Sequence, residues 1–238
     1  MIRSLLVRGM LVGLVAGALV FCFAHWLGEP EIDRAIAFET TLDQQRGEAA
    51  EPMLVSRQVQ KTFGLLTGSL LYGVALGGIF GLVYAYARNR YSVSGPRQLS
   101  ALIAGFGYLA IVIVPTLKYP GNPPAVGRPE TIGVRTAAYF LLIALSIATL
   151  ALLLQFHRGF TSRFGRWDGT LLSGTLYLVL IAILYRLFPS IDEVPSTFPA
   201  SLLWRFRIDS WGLQAVLWAS LGLAYGWSSE RAEASSRR

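Results

Sequence analysis

The chain has 238 residues, of which 53% are hydrophobic and 15% are charged. It carries 21 Lys and Arg against 14 Asp and Glu, a formal net charge of +7, and it contains one cysteine. A single cysteine excludes an internal disulfide framework. The high apolar content indicates a membrane protein, and the basic surplus suits anionic lipid headgroups, with no reason to invoke nucleic acid.

Six apolar segments of membrane-spanning length are distributed along the chain. Each is close to the roughly 20 residues that a helix needs to cross about 30 Å of hydrocarbon. Backbone amides in lipid must be paired within their own segment, so each segment is expected to be helical. We predict an all-α polytopic membrane helix bundle, a single membrane domain with six transmembrane helices at residues 9–27, 63–87, 99–117, 134–156, 169–188 and 210–227.

The connections between these spans differ in charge. Residues 88–98 and 157–168 are short and basic, whereas residues 28–62 are long and acidic. Lys and Arg in short connections mark the cytoplasmic side of a membrane protein. We therefore expect both termini to be cytoplasmic, the acidic segment to be extracytoplasmic, and the chain to be a multi-pass protein of the cytoplasmic membrane.

Glycines recur every four residues in the first, second and sixth spans. Small residues at this spacing let helix backbones approach closely in lipid. We predict tight packing of the first two spans, with the sixth as a candidate third member. The general abundance of glycine in membrane helices and contacts in a homo- or hetero-oligomer are the alternatives. The candidate packing residues are Gly9, Gly13, Gly17, Gly73, Gly77 and Gly81.

The acidic segment 28–62 follows the first span. Pro30 suits the first turn of a helix and cannot extend a regular ladder, so we predict a break there and a short amphipathic helix on the outer membrane surface. His25, Glu29 and Asp33 are four residues apart and would stack on one face of a continuous helix. An imidazole and two carboxylates suit a borderline divalent metal. The alternative is a solvated acidic helix with His25 satisfied locally.

The connection after the third span is rich in proline. Five prolines between residues 115 and 129 exclude regular helix and favour a stiff, extended path. Lys118 and Tyr119 are placed as interfacial anchors, and Pro129 with Glu130 suits the first turn of the fourth span. Exposed carbonyls of such a loop could coordinate an ion or dock a partner, or the loop could only tie two helices together.

Arginines mark the outer ends of the fourth and sixth spans. Arg135 is one turn inside the fourth span and needs a partner or access to headgroups; its candidate partners are Glu130, Glu29 and Asp209. Asp209 with Ser210 is also predicted to cap the start of the sixth span, close to Arg207. These residues indicate a polar cluster at the outer mouth or, alternatively, an ion-pair network that fixes helix packing.

Several enzyme signatures are absent from the sequence. It contains no Walker-type phosphate loop, no HExxH zinc motif and no GxSxG elbow, so we expect no enzymatic activity. The two histidines, His25 and His157, fall on opposite sides in the predicted topology, which excludes one shared site.

Three motifs resemble the CbtA family of predicted cobalt transporter subunits. They are GEPEIDRAIAFE at residues 28–39, PTLKYPGNPPAVGRPETIG at residues 115–133, and FRIDSWG followed by VLWASLGLAYG near the C-terminus. The resemblance covers essentially the whole chain. It implies an inner-membrane subunit, cobalt as the cargo, and a small companion membrane protein of the CbtB type that carries metal-binding histidines.

Polar positions that match the family motifs complete the set of candidate site residues. We take Glu39 together with His25, Glu29 and Asp33 as candidate metal ligands, for cobalt(II) in transit and not as a bound cofactor. The leading hypothesis is cobalt uptake, and the alternative is a non-transport scaffold or accessory subunit. The candidate outer-loop or partner contacts are Lys118, Tyr119, Asn122, Glu130, Arg135 and Arg207.

Overall fold

The computed structural model describes residues 2–47, 54–91 and 95–236. No residue in these ranges lies in a β-strand, which confirms the predicted all-α class. The α-helices are α1 (Ile2–Phe23), α2 (Glu29–Arg46), α3 (Arg57–Val59), α4 (Leu65–Arg90), α5 (Pro96–Gly107), α6 (Val114–Lys118), α7 (Pro129–Phe164), α8 (Arg166–Leu187) and α9 (Ala200–Ser236).

Wider, π-helical stretches join three pairs of these helices without a break. Ala24–Gly28 joins α1 to α2, Gln60–Gly64 joins α3 to α4, and Tyr108–Ile113 joins α5 to α6. The predicted break at Pro30 is therefore wrong, and α2 continues from α1. Pro30 lies in the first turn of α2, where the wider preceding turn accommodates a ring that has no N–H to donate.

Five helical runs of the described chain are long and apolar enough to cross a membrane. They contain the first five predicted spans, apart from one residue at the end of the fifth. The sixth predicted span lies inside α9, which is not among the five because Gln214 and three tryptophans lower its hydropathy. The five runs are Ile2–Arg46, Arg57–Arg90, Pro96–Lys118, Pro129–Phe164 and Arg166–Leu187.

The chain divides into two compact units. Unit 1 contains α1 to α5 and α9, and unit 2 contains α6, α7 and α8 with the connections between them.

In unit 1, α1 and α4 pack through glycine at backbone distance. A Cβ atom added at Gly13 would lie 2.1 Å from the carbonyl oxygen of Gly73, and one added at Gly77 would lie 2.2 Å from that of Gly9. At Gly17 the contact is with Ser69 O, and at Gly81 it is with Leu5 O. The glycines proposed for helix packing thus line one continuous contact, which no larger residue fits without separating the helices.

Helix α9 runs antiparallel to α1 in the same unit. Near the start of α1, the Tyr225 hydroxyl donates to Leu5 O at 3.1 Å, and near its end Phe23 contacts Gly212. The glycines of the sixth predicted span contact α5 instead, because a Cβ atom at Gly222 would lie 2.6 Å from Ala104 Cβ. Helix α9 is therefore held between α1 and α5.

Ion pairs gather four helix ends at one end of unit 1. Arg88 and Arg97 pair with Glu233 and Glu230 of α9 at 2.9 and 2.5 Å. Arg8 donates to the Ser229 hydroxyl at 3.1 Å. The start of α1, the end of α4, the start of α5 and the end of α9 therefore lie together.

In unit 2, α7 and α8 form an antiparallel helical hairpin. The turn is at Gly165, whose φ of +86° is a left-handed conformation that favours glycine. Along the hairpin, His157 contacts Ser173 at 3.1 Å and Ser146 contacts Tyr177 at 2.9 Å.

Candidate functional site

Two of the proposed metal ligands lie in an ion-pair cluster between α2 and the helical run that leads into α4. Arg57 Nε donates to Asp33 Oδ1 at 2.9 Å, and an Arg57 Nη2 atom donates to Glu29 Oε2. Lys61 Nζ lies 3.4 Å from Asp33 Oδ2. Glu29 is only 6% exposed, so its carboxylate is satisfied mainly by the guanidinium. We call these four residues the α2 clamp.

The other two proposed ligands lie outside this network of charges. His25 stacks on Phe21, with ring centroids 5.5 Å apart, and its Nδ1 lies 3.0 Å from the backbone oxygen of Lys61. Glu39 is half-buried further along α2. Within residues 2–47, 54–91 and 95–236, no three His, Cys, Asp or Glu side chains form a group that could hold a metal ion.

A second acidic position of α2 faces an open cleft in unit 1. Glu31 and Asp209 both line this cleft, which has a volume of about 430 Å³. The pKa of Asp209 is raised because burial desolvates the carboxylate and the negative charge of Glu31 lies nearby, while Arg205 opposes the shift. Asp209 and Ser210 lie inside α9, which begins at Ala200, so the prediction that they cap a helix start is wrong.

In unit 2, one buried carboxylate ties three segments together. Glu193 lies between α8 and α9, and its side chain is only 3% exposed. It accepts hydrogen bonds from Asn122 Nδ2 at 3.0 Å and from the Thr131 hydroxyl, and Arg135 Nη1 lies 3.2 Å from its Oε2. Arg135 also donates to the carbonyl of Pro120. We call this group of five residues the Glu193 latch.

Two other candidate residues of the proline-rich connection, Lys118 and Tyr119, also contact the segment that follows α8. Tyr119 is buried and donates its hydroxyl to Pro189 O at 2.8 Å. Burial raises the pKa of Tyr119. Lys118 Nζ lies 3.3 Å from the Ser190 hydroxyl. The proline-rich connection is therefore fastened at several points to the segment that follows α8.

Glu130 and Arg207 have no place in either cluster. Glu130 is exposed in the first turn of α7, where a carboxylate is favourable against the helix dipole, as the sequence predicted. Arg207 is half-buried within α9.

Sequence reasoning missed three residues that organise these sites. Arg57, Glu193 and Glu31 were not among the candidate site residues. A signal for Glu193 was available, since Arg135 was known to need a partner and IDEVPS is an acidic segment directly after the fifth span. Arg135 pairs with Glu193, and none of the three partners proposed from the sequence fills that position.

The sequence of the chain matches a family of known proteins. No curated protein and no solved structure matches the chain. The sequence model of a family described as a probable cobalt transporter subunit (CbtA) matches residues 2–230. This match covers nearly the whole chain and confirms the resemblance found in its three motifs. The chain belongs to the CbtA family of probable cobalt transporter subunits.

Proposed function

We propose that the chain is a subunit of a cobalt(II) uptake system of the cytoplasmic membrane. In this proposal, carboxylates on the extracytoplasmic side concentrate the hydrated cation, and a path between helices conducts it. The observation that carries the proposal is the family match over residues 2–230, together with five helical runs in the described part of the chain that could cross a membrane. The sequence contains no Walker-type phosphate loop, and in this proposal a partner subunit supplies the energy for transport.

Electrostatics supports a collecting role for α2. This helix carries five acidic and two basic residues, and Arg57 and Lys61 of the α2 clamp offset two of the negative charges, so one acidic charge is in excess. A surface of one sign raises the local concentration of an oppositely charged solute without binding it directly. Glu39 is the proposed carboxylate that remains outside the α2 clamp. Glu29 and Asp33 could bind the cobalt ion directly only if Arg57 released them. While they are paired with Arg57, they contribute only to the electrostatic field of the helix.

The test is cobalt accumulation in cells that depend on this chain. We expect Glu29→Gln, Asp33→Asn and Glu39→Gln together to lower uptake by about tenfold at low external cobalt, with a smaller deficit at saturating cobalt. Asp168→Asn is the matched control, because it removes an exposed carboxylate from the predicted cytoplasmic side. Unchanged uptake by the triple variant at equal protein abundance would contradict the carboxylate mechanism.

Deleting the chain separates transport from the alternative role as a scaffold. A transport subunit predicts loss of cobalt accumulation and co-purification of a small companion membrane protein of the CbtB type. If a large stoichiometric complex co-purifies while uptake persists without the chain, the chain is a structural subunit of that complex.

A further inference from the structure

The cleft that contains Glu31 and Asp209 lies beside the junction of α1 and α2. Its walls come from that junction and from the first half of α9, all within unit 1. The volume of about 430 Å³ falls in the range of small-molecule sites. The residues that decide its chemistry are Trp26, Glu31, Arg34, Trp204, Arg205 and Asp209.

The carboxylate of Glu31 is the feature of the cleft that indicates a ligand. The residue is only 7% exposed, and one carboxylate oxygen, Oε1, is 2.5 Å from Arg34 Nη1. The other oxygen, Oε2, is buried and has no hydrogen-bond partner among the described residues. A buried carboxylate oxygen without a donor is costly, so a ligand with an N–H group or a positive charge would be stabilised here.

The charges around the cleft favour a dipolar ligand over a metal ion. Two carboxylates, Glu31 and Asp209, are matched by two guanidinium groups, Arg34 and Arg205. A divalent cation bound between the acids would be repelled by both arginines. A ligand with one ammonium and one phosphate group would instead satisfy all four, since guanidinium groups bind phosphate through paired N–H donors.

The rim of the cleft indicates where such a ligand comes from. Trp26 and Trp204 are 74% and 63% exposed, and Leu27 and Ile208 are also exposed beside them. Exposed tryptophan at the end of a membrane span is typical of the lipid–water interface. An apolar rim at this depth suits acyl chains, which a free water-soluble zwitterion would not supply.

We propose that this cleft binds the headgroup of a phospholipid that carries a primary ammonium and a phosphate. The ammonium donates to Glu31 Oε2 and to Asp209, within reach of the tryptophan faces, and the phosphate accepts from Arg34 and Arg205. A quaternary ammonium has no N–H for the unpartnered oxygen, and a glycerol headgroup has no positive charge. The cleft therefore discriminates phosphatidylethanolamine from phosphatidylcholine and phosphatidylglycerol, independently of cobalt transport.

The experiment measures lipid binding to the purified full-length chain in detergent by native mass spectrometry. Dioleoyl phosphatidylethanolamine, phosphatidylcholine and phosphatidylglycerol are compared at equal concentration, with soluble phosphoethanolamine as a fourth ligand. We expect preferential retention of one phosphatidylethanolamine, and roughly tenfold to hundredfold weaker binding in Glu31→Gln. Asp43→Asn, a carboxylate change elsewhere on α2, should leave binding intact.

Two further variants keep the test decisive if Glu31→Gln does not fold. Asp209→Asn should weaken the ammonium contact, and Arg205→Gln, at an exposed position, should weaken the phosphate contact. Equal retention of all three lipids would overturn the proposal. So would tight binding of phosphoethanolamine alone, which would make the ligand a free zwitterion, or stoichiometric cobalt binding that Glu31→Gln abolishes without any lipid preference.

Discussion

Arg135 carries a charge near the start of a membrane helix and is satisfied from two directions. Glu193 supplies the opposite charge and the Pro120 carbonyl accepts a further hydrogen bond. The side chain of Arg135 is 23% exposed, and that of Glu193 is almost fully buried. Because desolvation of both groups is costly, the pair stabilises the fold only as long as both charges are present.

We predict that Glu193→Gln destabilises the protein by about 1–3 kcal/mol. The amide keeps the shape of the side chain but leaves the Arg135 charge without a counterion and loses charge-assisted bonds to Asn122 and Thr131. Thermal unfolding in detergent measures the change. Asp192→Asn is the matched control, since it removes the neighbouring, exposed carboxylate. Equal melting temperatures for the two variants would show that the latch contributes no stability.

The need of Arg135 for a partner was predictable from its depth in the span, whereas the partner was not. Glu193 is distant in sequence, and no local pattern fixes the path of an irregular connection. The same holds for Arg57, whose contacts with Glu29 and Asp33 turn two proposed metal ligands into members of an ion-pair cluster. Ion-pair partners in connections are decided by tertiary structure.

Among the helical elements, the contact between α1 and α4 is the most tightly constrained by residue size. Gly13 and Gly73 approach so closely that an added methyl group overlaps a backbone carbonyl, which cannot rotate away. On α4 itself, Gly68 differs, because an added Cβ atom there would meet nothing within 4 Å. The two positions differ in their environment and share the same residue type.

We predict that Gly13→Ala destabilises the chain by roughly 1–3 kcal/mol, because overpacking forces α1 and α4 apart. Gly68→Ala is the control. It should be neutral or stabilising by up to about 1 kcal/mol, since alanine favours helix more than glycine. Melting temperatures in detergent compare the two variants. A Gly13→Ala variant as stable as Gly68→Ala would mean that α1 and α4 can move apart without loss of stability.

Helix packing was the most predictable feature at this scale, and helix ends were the least. The GxxxG spacing identified the glycines at the contact, because spacing along a helix fixes the face on which they lie. The start of α9 was misplaced by about ten residues. Asp209 and Ser210 resemble a cap, but the preceding residues also form helix, and Leu202 is buried within them. A buried side chain can extend a helix beyond a sequence signal for its start.

At the scale of the whole molecule, α9 determines the number of membrane crossings. It has 37 residues and is about 55 Å long, and its apolar part, residues 210–227, is about 27 Å long. Within it, Gly212 contacts Phe23 at the end of α1, and Tyr225 contacts Leu5 near the start of α1. Composition and length predicted the class of the molecule. They could not predict this pairing, which depends on contacts between the first and last helices.

We predict that α9 is the sixth span and that both termini are cytoplasmic. If α1 crosses the membrane, the antiparallel α9 alongside it must cross in the opposite direction. The end of α9 pairs with Arg88 and Arg97, which belong to the basic connection that the charge pattern assigns to the cytoplasm. Cys22 is the only cysteine, so Cys22→Ser provides a background for single cysteines. In that background a membrane-impermeant maleimide should label Ser196→Cys in intact spheroplasts and Ser235→Cys only in inside-out vesicles.

The control for this prediction is Ser162→Cys, an exposed position at the end of α7 that the charge pattern also places in the cytoplasm. It should behave as Ser235→Cys does, and both should stay protected in intact spheroplasts. Labelling of Ser196→Cys and Ser235→Cys from the same side would mean that α9 lies on the membrane without crossing it. In that case α9 and the part of α1 that packs against it would both lie at the lipid–water interface. Burying Gln214 and the tryptophans of α9 costs less free energy there than in the hydrocarbon core.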